Sequence, residues 1–149
     1  MLMGLYPIIF DYLIIAALGL SFGSFANVCA LRLPLQKNLI SPSQCTYCNQ
    51  PIKFYDNIPI VSFVLLGGKS RCCQKKISLQ YPLVEAISLL SLLLIFSQFG
   101  YSSITVLVFF LFISHLIIFI SDLKFFIIPD LITYSLACIA IAVSFLNMN

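Results

Sequence analysis

The chain has 149 residues, a net charge of +3, and a composition that is 61% hydrophobic and only 9% charged. A soluble domain typically carries about 25% charged residues, and a domain this small cannot enclose so much apolar surface. The composition therefore excludes an ordinary soluble fold and predicts a protein that lies in membrane lipid. The modest charge gives no indication of a nucleic-acid partner.

Four apolar runs follow one another along the chain, and each is suited to a membrane-spanning helix. About 20 apolar residues cross the hydrocarbon core, and a helix satisfies its backbone hydrogen bonds internally. The runs cover residues 6–31, 81–99, 104–121 and 131–146, and the last is short. The first run lacks a basic start and a small-residue cleavage pattern, so it predicts a retained helix rather than a signal peptide. The predicted fold class is an all-α integral membrane protein of about four transmembrane helices.

The segment 32–80 differs in composition from the rest of the chain. It holds seven of the eight Lys and Arg residues and four of the six cysteines. Basic loops remain on the cytoplasmic side of a membrane, so this segment is predicted to be a small cytoplasmic cysteine domain and the N-terminus to be extracytoplasmic. Lys124, after the third run, agrees with that orientation. The predicted division is 1–31 for the first helix, 32–80 for the cysteine domain and 81–149 for the remaining helices.

Four cysteines of this segment have a spacing typical of a metal site. Cys45 and Cys48 form a C-x-x-C pair, and two such thiolates bind one zinc ion from a tight turn. Cys72 and Cys73 would complete a closed, structural tetrahedron, although adjacent cysteines are an awkward geometry for one metal. Four free thiols in a reducing compartment, or disulfides on the other side of the membrane, are the alternatives.

Acidic residues lie near the predicted membrane edges. Asp122 ends the third run and Asp130 follows eight residues later, so the two are a candidate pair for aspartic-protease chemistry. The alternative is that both are interfacial loop acids. Glu85, near the start of the second run, is expected to pair with a basic residue of the loop or to lie near Asp122. His115 lies two helical turns before Asp122 and either shares a polar interior with it or, in the favoured interpretation, bonds a neighbouring helix.

Small residues recur in the first run at intervals that favour close helix packing. Gly19, Gly23, Ser24 and Ala26 leave room for a neighbouring backbone. Cys29 and Cys138 are interpreted as apolar fillers of their helices.

Three stretches together resemble one family, the type IV prepilin peptidases. Residues 19–28, GLSFGSFANV, followed by Arg-Leu-Pro at 32–34, resemble the opening signature of that family. Residues 45–85, from the C-x-x-C pair to YPLVE, resemble its cytoplasmic cysteine domain. The segment 121–130, SDLKFFIIPD, resembles the region of its first catalytic aspartate.

The resemblance implies an aspartic endopeptidase of the bacterial inner membrane. Such enzymes remove the basic leader of prepilins or pseudopilins on the cytoplasmic side, and many N-methylate the new terminus with S-adenosylmethionine. It implies that Asp122 is the first catalytic aspartate and that Asp130 and Glu85 are motif acids near the site. It also implies a metal-binding cysteine domain, to which Cys45, Cys48 and Cys73 correspond by position.

Two departures from the family pattern bear on function. The family's second catalytic aspartate lies in a Gly-x-Gly-Asp motif that is absent from these 149 residues, so we expect the N-terminal part of the fold, inactive by itself. The alternatives are a non-catalytic protein that binds prepilin or an assembly partner, and one half of a split enzyme completed by a second chain. In the second cysteine pair, Ser70 stands where the family has a cysteine, so Cys72 would have to take its place through a shifted loop.

Overall fold

The computed structural model describes the backbone of residues 5–147 and the side chains of residues 8–145. Within that part of the chain there are five α-helices, one 3-10 turn and no β-strand, so the predicted all-α class is confirmed. The helices are α1 (Leu5–Arg32), α2 (Val61–Leu65), α3 (Gln80–Phe99), α4 (Ser103–Phe125) and α5 (Asp130–Asn147), and the 3-10 turn is Phe54–Asn57.

Three of the helices are long and apolar enough to cross a membrane. These are α1, α3 and α4, which correspond to the first three apolar runs. The fourth run forms α5, but its described apolar part, Asp130–Phe145, is shorter than a full span. The three long helices pack against one another, whereas α5 contacts α4.

The packing of α1 against α3 depends on small residues, as the sequence predicted. A Cβ atom at Gly23 would lie 2.7 Å from the Cα of Glu85, so the two backbones are nearly in contact. Ser88 Oγ donates a 2.7 Å hydrogen bond to the carbonyl of Gly19. Lipid is as apolar as a leucine side chain, so close packing and interhelical hydrogen bonds replace the hydrophobic effect in holding such helices together.

Helix α4, which forms from the third apolar run, extends beyond the end of that run. The sequence predicted a polar interruption over 122–130, but α4 continues to Phe125 and places Asp122 in its last turn. Phe126 ends the helix with φ +54°, and its N–H donates to the Asp122 carbonyl at 2.9 Å. Between α4 and α5, residues 126–129 are the non-helical segment. Pro129 favours this break, because it disfavours the helical conformation at the residue before it. The charged residues Asp122 and Lys124 therefore do not end the helix.

Residues 33–79 form a small folded unit between α1 and α3, which we call the cysteine knob. Its first loop is held by the last residue of α1. The Arg32 guanidinium donates to the carbonyls of Asn38 at 3.1 Å and Ser41 at 2.7 Å. The knob thus begins with a loop folded around the end of a membrane helix.

Candidate functional site

The four predicted cysteines of the knob lie together. The Sγ atoms of Cys45, Cys48, Cys72 and Cys73 are all within 4.8 Å of one another. Cys45 is buried, Cys73 is half-buried, and Cys48 and Cys72 are exposed. The closest pair, Cys48 and Cys72, has its sulfur atoms 3.1 Å apart, well beyond a disulfide bond of about 2.05 Å.

A tight turn presents the first pair of thiols. The N–H of Cys45 donates to the carbonyl of Gln50, and the N–H of Asn49 donates back to the carbonyl of Cys45, both at 2.9 Å. Asn49 takes a left-handed conformation, with φ +56°, which asparagine tolerates better than most residues. The turn closes on itself and directs the side chains of Cys45 and Cys48 to one side.

The thiol cluster fits a zinc ion in its dimensions. With a Zn–S bond of about 2.3 Å, the sulfur atoms of a tetrahedral site are separated by about 3.8 Å. Cys45 and Cys73 already have that separation, at 3.7 Å. The 3.1 Å pair of Cys48 and Cys72 would have to open slightly, and both of these residues are at the surface. Four thiols at this spacing lie close enough together to hold one metal ion.

Two thiols of the cluster have pKa values that are shifted in opposite directions. Backbone N–H groups of Cys48 and Tyr47 stabilise the thiolate of Cys45 and lower its pKa to about 6. Cys72 behaves oppositely: its hydrogen bond with Cys48 is the main reason that its pKa is raised to about 12. One thiolate therefore forms readily, whereas further negative charge in the cluster needs a compensating cation.

An ion pair supports the second part of the cluster. The Arg71 guanidinium makes a bidentate contact with Asp56, with Nη2 to Oδ1 at 2.8 Å and Nε to Oδ2 at 2.9 Å. Arg71 also lies over the ring of Tyr55, 5.7 Å from its centroid. These contacts link the 3-10 turn to the loop that carries Cys72 and Cys73.

Glu85 connects the knob to the membrane helices. Its side chain is buried on α3, and Oε2 accepts a 2.7 Å hydrogen bond from the N–H of Ile60. Ile60 has φ +58° and lies at the centre of a γ-turn in which the N–H of Val61 donates to the carbonyl of Pro59 at 2.6 Å. A positive φ is strained for a β-branched residue. A basic side chain of the loop was one expected partner, but among the described residues Glu85 forms no ion pair and bonds this backbone amide instead.

Asp122 lies at the same end of the helix bundle as the knob. Its neighbour Ser121 is fully buried and donates a 3.2 Å hydrogen bond to the carbonyl of Ala30, near the end of α1. Asp122 itself is exposed, and so is Asp130, which begins α5 after the four-residue connection. Both acids are thus accessible, one in the last turn of α4 and the other in the first turn of α5.

His115 bonds its own helix, whereas the favoured interpretation was a hydrogen bond to a neighbouring helix. Its Nδ1 lies 2.7 Å from the carbonyl of Leu111, one turn back on its own helix, rather than bonding a neighbouring helix. The ring is exposed and lines a groove of about 590 Å³ between α4 and α5. A donor nitrogen can bond the preceding turn of its own helix, and this removes the need for an interhelical partner.

A cleft of about 790 Å³ separates the knob from the ends of α1 and α3, and Glu85 and Asn27 are among its lining residues. Asn27 is only 1% exposed. It donates from Nδ2 to the Tyr81 carbonyl at 3.3 Å and accepts at Oδ1 from Gln80 Nε2 at 3.1 Å. No role was predicted for Asn27 from the sequence, although an asparagine inside an apolar run indicates an interhelical hydrogen bond.

Helices that can span a membrane, with a four-thiol knob and an exposed aspartate at one end of their bundle, define a class of integral membrane protein. The bacterial peptidase A24 N-terminal domain is the family whose model matches, over residues 17–99. The chain belongs to that family, and the resemblance to prepilin peptidases is confirmed.

Curated relatives extend the similarity beyond the matched domain. The three described below are each named prepilin leader peptidase/N-methyltransferase. The relative from Klebsiella pneumoniae is 49% identical over 74 residues, covering 45% of this chain and 32% of its own. That from Pectobacterium carotovorum subsp. carotovorum is 35% identical over 148 residues, covering 82% and 52%. That from Vibrio cholerae is 37% identical over 142 residues, covering 87% and 55%.

The chain thus spans about a third to about half of the length of these relatives. No solved structure gives a significant match.

Proposed function

We propose that the chain serves the processing of prepilin or pseudopilin leaders and supplies the first carboxylate of an aspartic endopeptidase, Asp122. The observation that carries the proposal is the exposed position of Asp122 in the last turn of α4, directly after Ser121, which bonds the carbonyl of Ala30 near the end of α1. The relatives' name, prepilin leader peptidase/N-methyltransferase, supports the same activity.

The proposed orientation places the knob and Asp122 in the cytoplasm and the connection between α3 and α4 outside. Segment 32–80 holds seven of the eight basic residues, and basic loops stay on the cytoplasmic side. In this orientation a leader held at the inner membrane would meet Asp122 without crossing the bilayer. Inner-membrane lipid then surrounds α1, α3 and α4.

Peptide hydrolysis of this type requires two carboxylates. One is ionised and activates water, and the other is protonated and donates to the substrate, because like charges at close range cannot both remain ionised. Asp122 is the one acid that the family resemblance assigns to this pair, and the 149 residues contain no Gly-x-Gly-Asp motif. We therefore propose that the second carboxylate comes from outside these residues, as in an enzyme completed by a second chain.

The experiment expresses these 149 residues in bacterial membranes with a prepilin and measures leader removal by mass. The expected result is no cleavage by the chain alone. Adding a polypeptide that carries the missing motif should restore cleavage, and Asp122→Asn should abolish it. Cleavage by the chain alone, lost in Asp122→Asn, would contradict the need for an outside carboxylate and indicate Asp130 or Glu85 as the partner.

A non-catalytic role is the alternative outcome of the same experiment. If the chain binds a leader peptide but no second polypeptide restores cleavage, it acts as a prepilin-binding membrane protein. Glu85 and Asp130, as motif acids near the site, would then bear on binding rather than hydrolysis.

We propose that Cys45, Cys48, Cys72 and Cys73 hold one structural zinc ion. Their proximity and the 3.7 Å separation of Cys45 and Cys73 support it. Metal analysis of the purified chain should give about one zinc per chain, lost on Cys45→Ser but kept in Cys138→Ser, which changes a remote thiol on α5. A metal-free preparation that retains its fold would refute the site.

The relatives' name also suggests methylation of the newly exposed N-terminus with S-adenosylmethionine. In that reaction a methyl group leaves the sulfonium sulfur for the amine, which loses a proton. Equilibrium binding of S-adenosylmethionine to the purified chain would test whether these residues contribute. Asp122→Asn is the matched control, because it should leave such binding unchanged.

A further inference from the structure

The short helix α2 of the knob directs its polar side chain inward and its apolar side chains outward. Ser62 is buried, and its hydroxyl accepts from the N–H of Ile58 at 3.0 Å and donates to the carbonyl of Tyr55 at 2.8 Å. Val64 and Leu65 are 68% and 80% exposed. A helix in contact with water carries polar residues on its outer face, so this arrangement is the reverse of that expected on a water-facing loop.

The length of α3 determines where the membrane surface lies at this end of the bundle. Its apolar run, residues 81–99, is about 28 Å long at about 1.5 Å per residue. The hydrocarbon core is about 30 Å thick, so the run has no residues to spare and Tyr81 lies at the surface of the core. Glu85, one turn further on, is about 6 Å inside that surface. Leu83 between them is exposed, which leaves it to the lipid.

A hydrogen bond places the start of α2 at nearly the same depth. Glu85 Oε2 accepts from the N–H of Ile60 at 2.7 Å, and Ile60 directly precedes α2. A helical side chain leans toward the N-terminus of its helix, which for α3 is the end that joins the knob. Even if that lean spans a full turn of about 5.4 Å, Ile60 lies at the surface of the hydrocarbon core and not in the water above it. Helix α2 therefore begins where the lipid begins.

We infer that α2 lies in the boundary between the headgroups and the acyl chains of the bilayer, with Val61, Val64 and Leu65 inserted among the lipids. These three residues are exposed, and their spacing puts them on one face of the helix. Short interfacial helices bury an apolar face of this kind in the same boundary. Lys69, which follows the pair of glycines after α2, is exposed and has the charge that suits the lipid phosphates.

Lipid is the occupant of this face because of its depth. A water-soluble partner would have to enter the bilayer to reach Leu65, whereas lipid already surrounds α3 at that level. The inference requires only that α1, α3 and α4 span a membrane. It does not depend on the activity of Asp122 or on the side of the membrane that the knob faces. It gives the knob a third attachment to the bilayer, in addition to the ends of α1 and α3.

Tryptophan fluorescence tests the inference, because the chain contains no tryptophan of its own. The full chain carrying Leu65→Trp is placed in vesicles of phosphatidylethanolamine and phosphatidylglycerol, with bromine on part of the acyl chains. Bromine quenches only tryptophan that it approaches closely. We expect Leu65→Trp to emit at a shorter wavelength than a control on the water side and to be quenched several-fold more strongly.

The matched control is Ile40→Trp. Ile40 is also an exposed apolar residue of the knob, 92% exposed, in the loop that Arg32 holds at the end of α1. Asn27 bonds the carbonyl of Tyr81 and so marks the membrane surface on α1, and Arg32 lies more than a turn beyond it. The control position therefore projects into water.

A second reporter, Val64→Trp, carries the test if Leu65→Trp does not fold, and helical circular dichroism reports on folding in every variant. Emission and quenching equal to those of Ile40→Trp would place α2 in water and overturn the inference. Emission at short wavelength without quenching by bromine would show that protein, such as a second copy of the chain, covers this face. That result would also overturn the inference.

Discussion

A single carboxylate, Glu85, joins the knob to helix α3 through a hydrogen bond. It is 6% exposed, and its described partner in the knob is the N–H of Ile60, inside a strained turn. A carboxylate is a strong acceptor for a backbone N–H, and this bond holds the turn against the strain of its positive φ. The sequence identified Glu85 as notable but not its partner, because the direction of a backbone amide depends on a turn formed elsewhere in the chain.

Replacing Glu85 should destabilise the chain through that hydrogen bond. Glu85→Ala leaves the N–H of Ile60 without its acceptor, at a cost of about 1–3 kcal/mol. Glu85→Gln keeps an oxygen acceptor and should lose clearly less. Thermal unfolding of the full chain in detergent measures both, and equal losses would show that the negative charge rather than the hydrogen bond matters.

The Asp56–Arg71 pair makes the stability of the knob depend on pH. Hydrogen bonding from Arg71 lowers the pKa of Asp56 below its ordinary value of 3.8 in the folded chain. The stability that this ion pair contributes is therefore fully present above about pH 3.8. It is lost as the pH falls through the lower pKa of Asp56 in the folded chain.

Asp56→Asn should lower the thermal unfolding midpoint at neutral pH, because the ion pair is removed. When the pH falls below about 3.8, this variant should lose less stability than the unaltered chain. Arg71→Gln should give the same change, and the double variant should add little, because the two residues act as one pair. Unfolding curves at several pH values measure this. Fully additive effects of the two substitutions would contradict the pairing.

At the scale of the helices, the seam between α1 and α3 depends on glycine. A Cβ at Gly23 would lie 2.7 Å from the Glu85 Cα and 2.8 Å from the Ser88 Cβ, and the first of these belongs to backbone. The helices would have to separate to admit even one methyl group. A gap of that kind also weakens the Ser88–Gly19 hydrogen bond beside it.

Gly23→Ala should therefore destabilise the bundle by about 1–3 kcal/mol, the usual cost of overpacking. Ala17→Val is the matched control, because it enlarges an exposed residue of the same helix. Retention of helical circular dichroism during heating compares the two variants. Equal stability of Gly23→Ala and the unaltered chain would show that the contact between α1 and α3 accommodates a methyl group at this position.

The elements that could be predicted from the sequence are those whose cause is local. Apolar runs predicted the helices, since a membrane leaves a spanning backbone few other choices. The polar residues after Ser121 predict an end to the third helix that is too early, because Pro129 and the left-handed Phe126 set the end of α4. The cysteine spacing predicted the cluster, but the hydrogen bonds and the left-handed Asn49 that shape its first turn are not evident from that spacing.

For the whole molecule, the proposed orientation predicts which thiols are accessible from each side. Tyr101, in the connection between α3 and α4, is 70% exposed, at the opposite end of these helices from the knob. In intact bacterial spheroplasts, a membrane-impermeant maleimide should label Tyr101→Cys but not the unaltered chain. The exposed Cys48 and Cys72 should become labelled after the membrane is opened and metal is chelated. Labelling of the unaltered chain in intact spheroplasts would reverse the orientation.

The close contact of α1 with α3 also imposes an order on biosynthesis. Helix α1 leaves the ribosome first, with the narrow face around Gly23 and the amide of Asn27 directed toward a partner that has not yet been made. That partner follows only after the entire cysteine knob has been translated. During this interval the face of α1 around Gly23 and Asn27 lacks the helix that covers it in the folded bundle. The knob therefore also sets a delay in the assembly of the membrane bundle.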